Sequence, residues 1–98
     1  MTDTDHAITE ELRSVVDQQI GPRRPGAIYQ NSDGAFEVLS LVTEPVKARE
    51  MLRRRSAQFA LVVRDVLRPD GQPFVIGSVW TDSDRLVRPA RAVLAQAA

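Results

Sequence analysis

The sequence contains no cysteine and a single histidine, His6. The first absence excludes a disulfide framework, a thiol nucleophile and a thiolate metal site. The second bears on acid–base chemistry. A catalytic base has to be held within hydrogen-bond reach of its proton, and His6 sits in a terminal segment, where chains are poorly tied down. Ser40 and Ser78 therefore have no imidazole to activate them. One imidazole and no thiolate give no zinc or copper site. Neither Asp-Gly turn has the spacing of a phosphate-binding loop. No catalytic residue, metal ligand or cofactor is expected, and the chain reads as a non-enzyme.

Long apolar runs are missing too. Nothing approaches the roughly 18 residues of a membrane span, and the start, Met-Thr-Asp-Thr-Asp-His, lacks the basic and apolar regions of a signal peptide. A cytoplasmic protein with no membrane partner is expected. Lysine is nearly absent: Lys47 stands beside 12 arginines, a bias that matches a GC-rich bacterial or phage genome.

What is present is an ordinary globular composition, 98 residues with 43% hydrophobic and 27% charged. This suits a single domain over 1–98, with 1–6 as a flexible N-terminus, able to bury roughly 65% of its unfolded surface. Net charge is zero but segregated. Residues 1–20 hold Asp3, Asp5, Glu10, Glu11 and Asp17 against Arg13 alone, whereas residues 21–68 hold nine bases and five acids. The plain reading is a dipolar surface; the sharper one is a basic patch for an anionic partner.

Residues 7–20 predict an amphipathic helix, with Ile8, Leu12, Val15, Val16, Gln19 and Ile20 on one face. Asp5 or Thr4 is its candidate N-cap, and Gly21-Pro22 its stop. After the loop 21–26 come a strand at 27–30, a turn over Asn31-Ser32-Asp33-Gly34 and a return strand at 35–42. Strict alternation puts Phe36, Val38, Ser40 and Val42 on one face of that strand. Thr43 as N-cap and Pro45 in the first turn open a second helix reaching about Arg55. A strand at 59–67, a turn over Arg68-Pro69-Asp70-Gly71 and a strand at 74–80 follow. Residues 85–88 fit a short edge strand or a helical turn, and Pro89 starts a C-terminal helix.

Residues 36–44 are echoed at 74–82: Phe36, Ser40 and Thr43 recur as Phe74, Ser78 and Thr81, each copy after an Asp-Gly turn. Equivalent hairpins would aim Phe36 with Phe74, and Val38 with Ile76, at one core. The expected fold is α+β, two β-hairpins forming a four-stranded antiparallel sheet with flanking helices in the order α-β-β-α-β-β-α. Gly26-Ala27-Ile28-Tyr29 and Gly34-Ala35-Phe36-Glu37-Val38-Leu39 resemble the opening hairpin of small SH3-like barrel proteins. That resemblance implies the alternative fold, an SH3-like small barrel with added helices.

Binding is the remaining class of function. Arg49, Arg53, Arg54 and Arg55 gather near one helix end, and Arg23 and Arg24 lie in the preceding loop; guanidinium forks suit carboxylate and phosphate. The plain reading of this cluster is a solvated face. Trp80 reads as core or as an interface anchor. Tyr29 suits a base stack or a half-buried strand end. Asp82-Ser83-Asp84 reads as a turn rather than a cation loop. The expected function is that of a small accessory or regulatory protein acting through a protein partner, acidic in character, with a homodimer as a further possibility. The alternative is a nucleic-acid-binding module using the central Arg cluster.

Overall fold

The computed structural model describes residues 2–68 and 70–90, with side chains from Glu10 onward. Helix α1 (Thr2–Ile20) starts earlier than residue 7, so the N-cap expected at Thr4 or Asp5 falls inside it. It stops where glycine permits: Gly21 has φ +64° and its N–H donates to the Asp17 carbonyl at 2.9 Å. Strand β1 (Ile28–Asn31) and strand β2 (Gly34–Val42) form the first hairpin, closed by the Asp33 N–H donating to Asn31 Oδ1 at 2.8 Å. Helix α2 (Pro45–Leu52) follows, then β3 (Ala60–Asp65), β4 (Phe74–Ile76) and β5 (Arg85–Arg88).

The architecture is α+β, but the sheet has five antiparallel strands in the order β4-β3-β2-β1-β5. The fifth strand is residues 85–88, which take the edge-strand form rather than the helical turn and pair with β1, so the count exceeds the four expected. The sheet is open. β4 and β5 occupy its two edges and do not pair, so the SH3-like alternative is not a closed barrel. The helix expected from Pro89 lies largely beyond the described residues, and so does Pro69 in the turn.

Strict alternation along β2 breaks at Leu39. Val38 pairs with Val63 but Ser40 pairs with Val62, so one extra residue is inserted there. A bulge of this kind turns the following side chains to the other face. Leu41 therefore joins Val38 on the main core, Ser40 is exposed, and Val42 faces α2.

Both faces of the sheet are covered. On one, Ile20, Tyr29, Val38, Phe59, Leu61 and Val63 are buried, with Val16, Leu41, Ile76 and Trp80 packed around them. On the other, Ala48 of α2 packs with Ala57 and Ala60, flanked by Val42, Leu52 and Val75. The small residues let α2 approach closely. Beyond α2 the same face carries a row of charges: Glu37 takes Arg64 at 2.8 Å and Arg88 at 3.6 Å.

The echo holds in part: Val38 and Ile76 share the main core as expected, but the two hairpins are not equivalent in register or in the burial of Phe74. Val38 and Phe74 are the residues that flank Val63 on β3, while Ile76 pairs with Leu61. Phe74 lies on an edge strand and is 41% exposed, meeting the Phe36 ring edge-on with centroids 5.9 Å apart. The second copy also leaves the sheet after Ile76, so Ser78, Trp80 and Thr81 belong to a connection rather than a strand.

Candidate functional site

The candidate Arg cluster is taken apart by the fold. Arg23 is 1% exposed. An arginine just past a helix end can reach the last carbonyls, and Arg23 does. Its Nε donates to the Ile20 carbonyl at 2.8 Å and its Nη2 to the Gln19 carbonyl at 2.8 Å. Nη2 also reaches the Ser78 carbonyl at 2.7 Å, tying α1 to the β4–β5 connection. The guanidinium lies 5.4 Å from the Tyr29 ring centre and 5.7 Å from that of Trp80, within range of cation–π attraction. Burial lowers the Arg23 pKa from its ordinary value. The same burial raises that of Tyr29, with the neighbouring guanidinium pulling the other way. Arg23 thus fastens the interior and presents nothing to a partner.

Trp80 is half-buried for the same reason. Its backbone N–H donates to the Gln19 carbonyl at 2.7 Å, its ring stands edge-on to Tyr29 at 6.0 Å, and it covers Gly21. A Cβ on Gly21 would sit 2.5 Å from Trp80 Cγ, so this contact needs glycine. Arg24 is partly exposed, donates to the Gly21 and Arg23 carbonyls and forms a long 3.8 Å pair with Asp17. It stays beside α1. Asp84 closes the turn 81–84, accepting from the Thr81 N–H at 2.9 Å and from Asn31 Nδ2 at 2.9 Å. The Asp82–Asp84 stretch is therefore a turn, and no group of three metal-ligating side chains is found among the described residues.

Arg49, Arg53, Arg54 and Arg55 do come together. The helix expected to reach Arg55 ends at Leu52, because Arg53 adopts a left-handed conformation, φ 53° and ψ 45°, and its N–H returns to the Arg49 carbonyl. Arg53 is the only non-glycine residue with positive φ among the described residues. This costs roughly 1–2 kcal/mol relative to a right-handed residue. The reversal folds Arg54 and Arg55 back beside Arg49 instead of spreading them 100° apart around a helix. The four arginines and Glu50 line an open hollow of about 420 Å³. Arg49 is held in it by Nε donating to the Ala57 carbonyl at 3.2 Å. The expected cap at Thr43 is likewise displaced: Glu44 takes the N-cap position without a side-chain bond.

A second recess was not legible in the sequence. Among its described side chains, α1 touches the core through its last turn and a half, at Val16 and Ile20. Leu12 and Val15, on the same stripe, remain 51% and 48% exposed. Between this helix and the start of α2 runs a cleft of about 460 Å³ lined by Leu12, Arg13, Val16, Asp17, Pro45 and Gln58, among others. The cleft lies at the start of α2 and the Arg hollow at its end, and no residue lines both. Gln58 follows Ala57, whose carbonyl holds Arg49. The helical stripe was readable from its period; that the sheet leaves half of it bare was not.

No family model matches the chain, nor does any curated protein or solved structure compared with it.

Proposed function

We propose that this protein is a small, non-catalytic accessory or regulatory protein that acts by protein–protein contact, in the cytoplasm, through the face formed by α1, the apolar cleft and the Arg-lined end of α2. The observation that carries this reading is the stripe of α1. Leu12 and Val15 stand half-exposed beside a cleft walled by Val16 and Pro45. Apolar surface rimmed by polar groups is what a protein interface buries at its centre. At the far end of α2, Arg49, Arg54 and Arg55 add a separate charged surface that selects acidic partners and speeds encounter.

The runner-up, a nucleic-acid module, is favoured by the same four arginines. Salt separates the two, because phosphate contacts weaken binding steeply as salt rises. The test is capture of host proteins on immobilised wild-type chain, on Leu12→Glu/Val15→Glu and on Arg54→Gln/Arg55→Gln, with fluorescence anisotropy of labelled single- and double-stranded oligonucleotides in parallel. A protein retained by the wild type and lost with the α1 variant supports the proposal. Oligonucleotide binding abolished by the Arg variant, with no protein retained, replaces it with the runner-up.

A further inference from the structure

The arginines of this chain divide by what they hold. Arg23 is engaged by carbonyls, Arg24 pairs with Asp17, and Arg64 and Arg88 share Glu37. Arg49, Arg53, Arg54 and Arg55 form no ion pair among the described residues, although Glu50 stands beside them. Four exposed cations are thus gathered in one hollow against a single carboxylate.

Gathering them is unfavourable in two ways. Like charges repel, and Arg53 holds the left-handed conformation that helix ends reserve for glycine or asparagine. Arg53 is exposed, so burial does not repay that conformation. Strain and unpaired charge concentrated in one turn are what a bound anion would offset. The Arg49 Nε–H is committed to the Ala57 carbonyl, which orients the guanidinium and leaves its two amino groups for a ligand.

We propose that the hollow binds a compact anion carrying two or more phosphate groups: pyrophosphate, or the tail of a nucleoside di- or triphosphate. The inference goes beyond the protein-contact reading and does not depend on it. Phosphate presents acceptor oxygens in a tetrahedral arrangement and meets several guanidinium forks at once, whereas a carboxylate presents two in a plane. The hollow carries an excess of three positive charges, which suits a di- or triphosphate better than a single phosphate. One short stretch of chain, residues 49–55, walls its 420 Å³, so it holds one compact group rather than tracking a strand. No aromatic side chain lines it among the described residues, so it lacks the platform on which a nucleic-acid base stacks. Recognition is therefore of phosphates alone. Adenosine and guanosine nucleotides bind alike, and affinity rises from mono- to triphosphate.

Heteronuclear NMR of the full chain tests this, following backbone amides and arginine Nε–H groups. Pyrophosphate, AMP, ADP, ATP and GTP are titrated without divalent metal at fixed ionic strength. The expected result is saturable shifts confined to residues 49–57. ATP and GTP bind equally and most tightly, ADP and pyrophosphate next, AMP least, and all weaken as salt rises. Arg54→Gln/Arg55→Gln weakens pyrophosphate binding about tenfold or more. Arg53→Gly also weakens it yet melts no lower than the wild type, because glycine accepts the left-handed turn. The proposal is overturned if millimolar pyrophosphate gives no saturable shift, or if Arg54→Gln/Arg55→Gln binds as the wild type does. It is equally overturned if sulfate or an oligoglutamate peptide binds as tightly as pyrophosphate. A single-stranded oligonucleotide that binds more tightly per phosphate than pyrophosphate overturns it in favour of nucleic acid. These readings need only the isolated chain, whereas the capture experiment follows Leu12 and Val15, so the two proposals fail separately.

Discussion

Replacing Arg23 tests whether the interior depends on the one buried cation among the described residues. In Arg23→Ala the carbonyls of Ile20 and Ser78 lose a donor at 2.8 and 2.7 Å, whereas that of Gln19 keeps the Trp80 N–H. An orphaned buried acceptor costs about 1–3 kcal/mol, so two cost about 2–6. The gap between the Tyr29 and Trp80 rings adds lost packing, and release of the desolvated cation offsets part of it. The expected loss is about 3–5 kcal/mol, the range found on breaking buried charged contacts. Total stability of a domain this size is about 5–15 kcal/mol. Urea unfolding followed by Trp80 fluorescence and far-ultraviolet dichroism measures the loss, at one fixed protein concentration because association adds to apparent stability. The melting temperature should fall by more than about 12 °C. Arg23→Met keeps the stem between the rings and removes the donors, so it should recover only the packing share. Arg23→Lys keeps the charge without the fork and should fall between the two. A loss under about 1 kcal/mol in Arg23→Ala would show that water replaces the guanidinium and that the staple is not needed.

Gly21→Ala and Gly77→Ala should differ although both introduce a close contact. The first meets the Trp80 ring at 2.5 Å with φ +64°, and should destabilise by more than about 2 kcal/mol. The second meets the mobile Leu52 Cδ1 at 2.6 Å, which can turn aside, so thermal melts should show a smaller shift. Phe59→Ala should cost about 3–5 kcal/mol in urea unfolding, and Phe74→Ala, at the open edge, about 1. Asp84 feels burial most, which raises its pKa, but bonds from Asn31 and Thr81 together bring it below the usual carboxylate range. Its contribution is present above the unfolded value near 3.9 and is lost as pH falls through the folded value, so Asp84→Asn should flatten the acid limb of stability against pH. Tyr29, held above its ordinary value by burial, contributes stability that is lost as pH rises past about 10; Tyr29→Phe should flatten that alkaline limb.

Local chemistry was legible where it acts locally. Gly21-Pro22 ended α1 because a left-handed glycine and a proline leave a helix nowhere to go. Asn31 to Gly34 closed a hairpin because the Asn side chain and glycine suit a tight turn. Features set by distant pairing were not. The bulge at Leu39 appears only when β2 is laid on β3. The salt row through Glu37 needs the register that brings Arg64 and Arg88 to one face. Arg23 looked exposed because a loop of two prolines and two glycines normally is; its acceptor on Ser78 lies 55 residues away. The αL turn at Arg53 carries no glycine to announce it, so the helix was drawn one turn too long and the cluster assembled by a different route.

The strand order also imposes a timetable on synthesis. The ties from Arg23 to Ser78, from Trp80 to Gln19 and across Gly21 wait for residues made 55 or more positions later. The first hairpin and α2 can form while the chain is still emerging, because their partners are near in sequence. During that interval Ile20 can already meet Tyr29 and Val38 of the first hairpin, but the cover that Trp80 lays over Gly21 is still missing. The segment between β4 and β5 is thus the latch of the fold: until it arrives, Arg23 lacks its Ser78 acceptor and the end of α1 is held by the first hairpin alone.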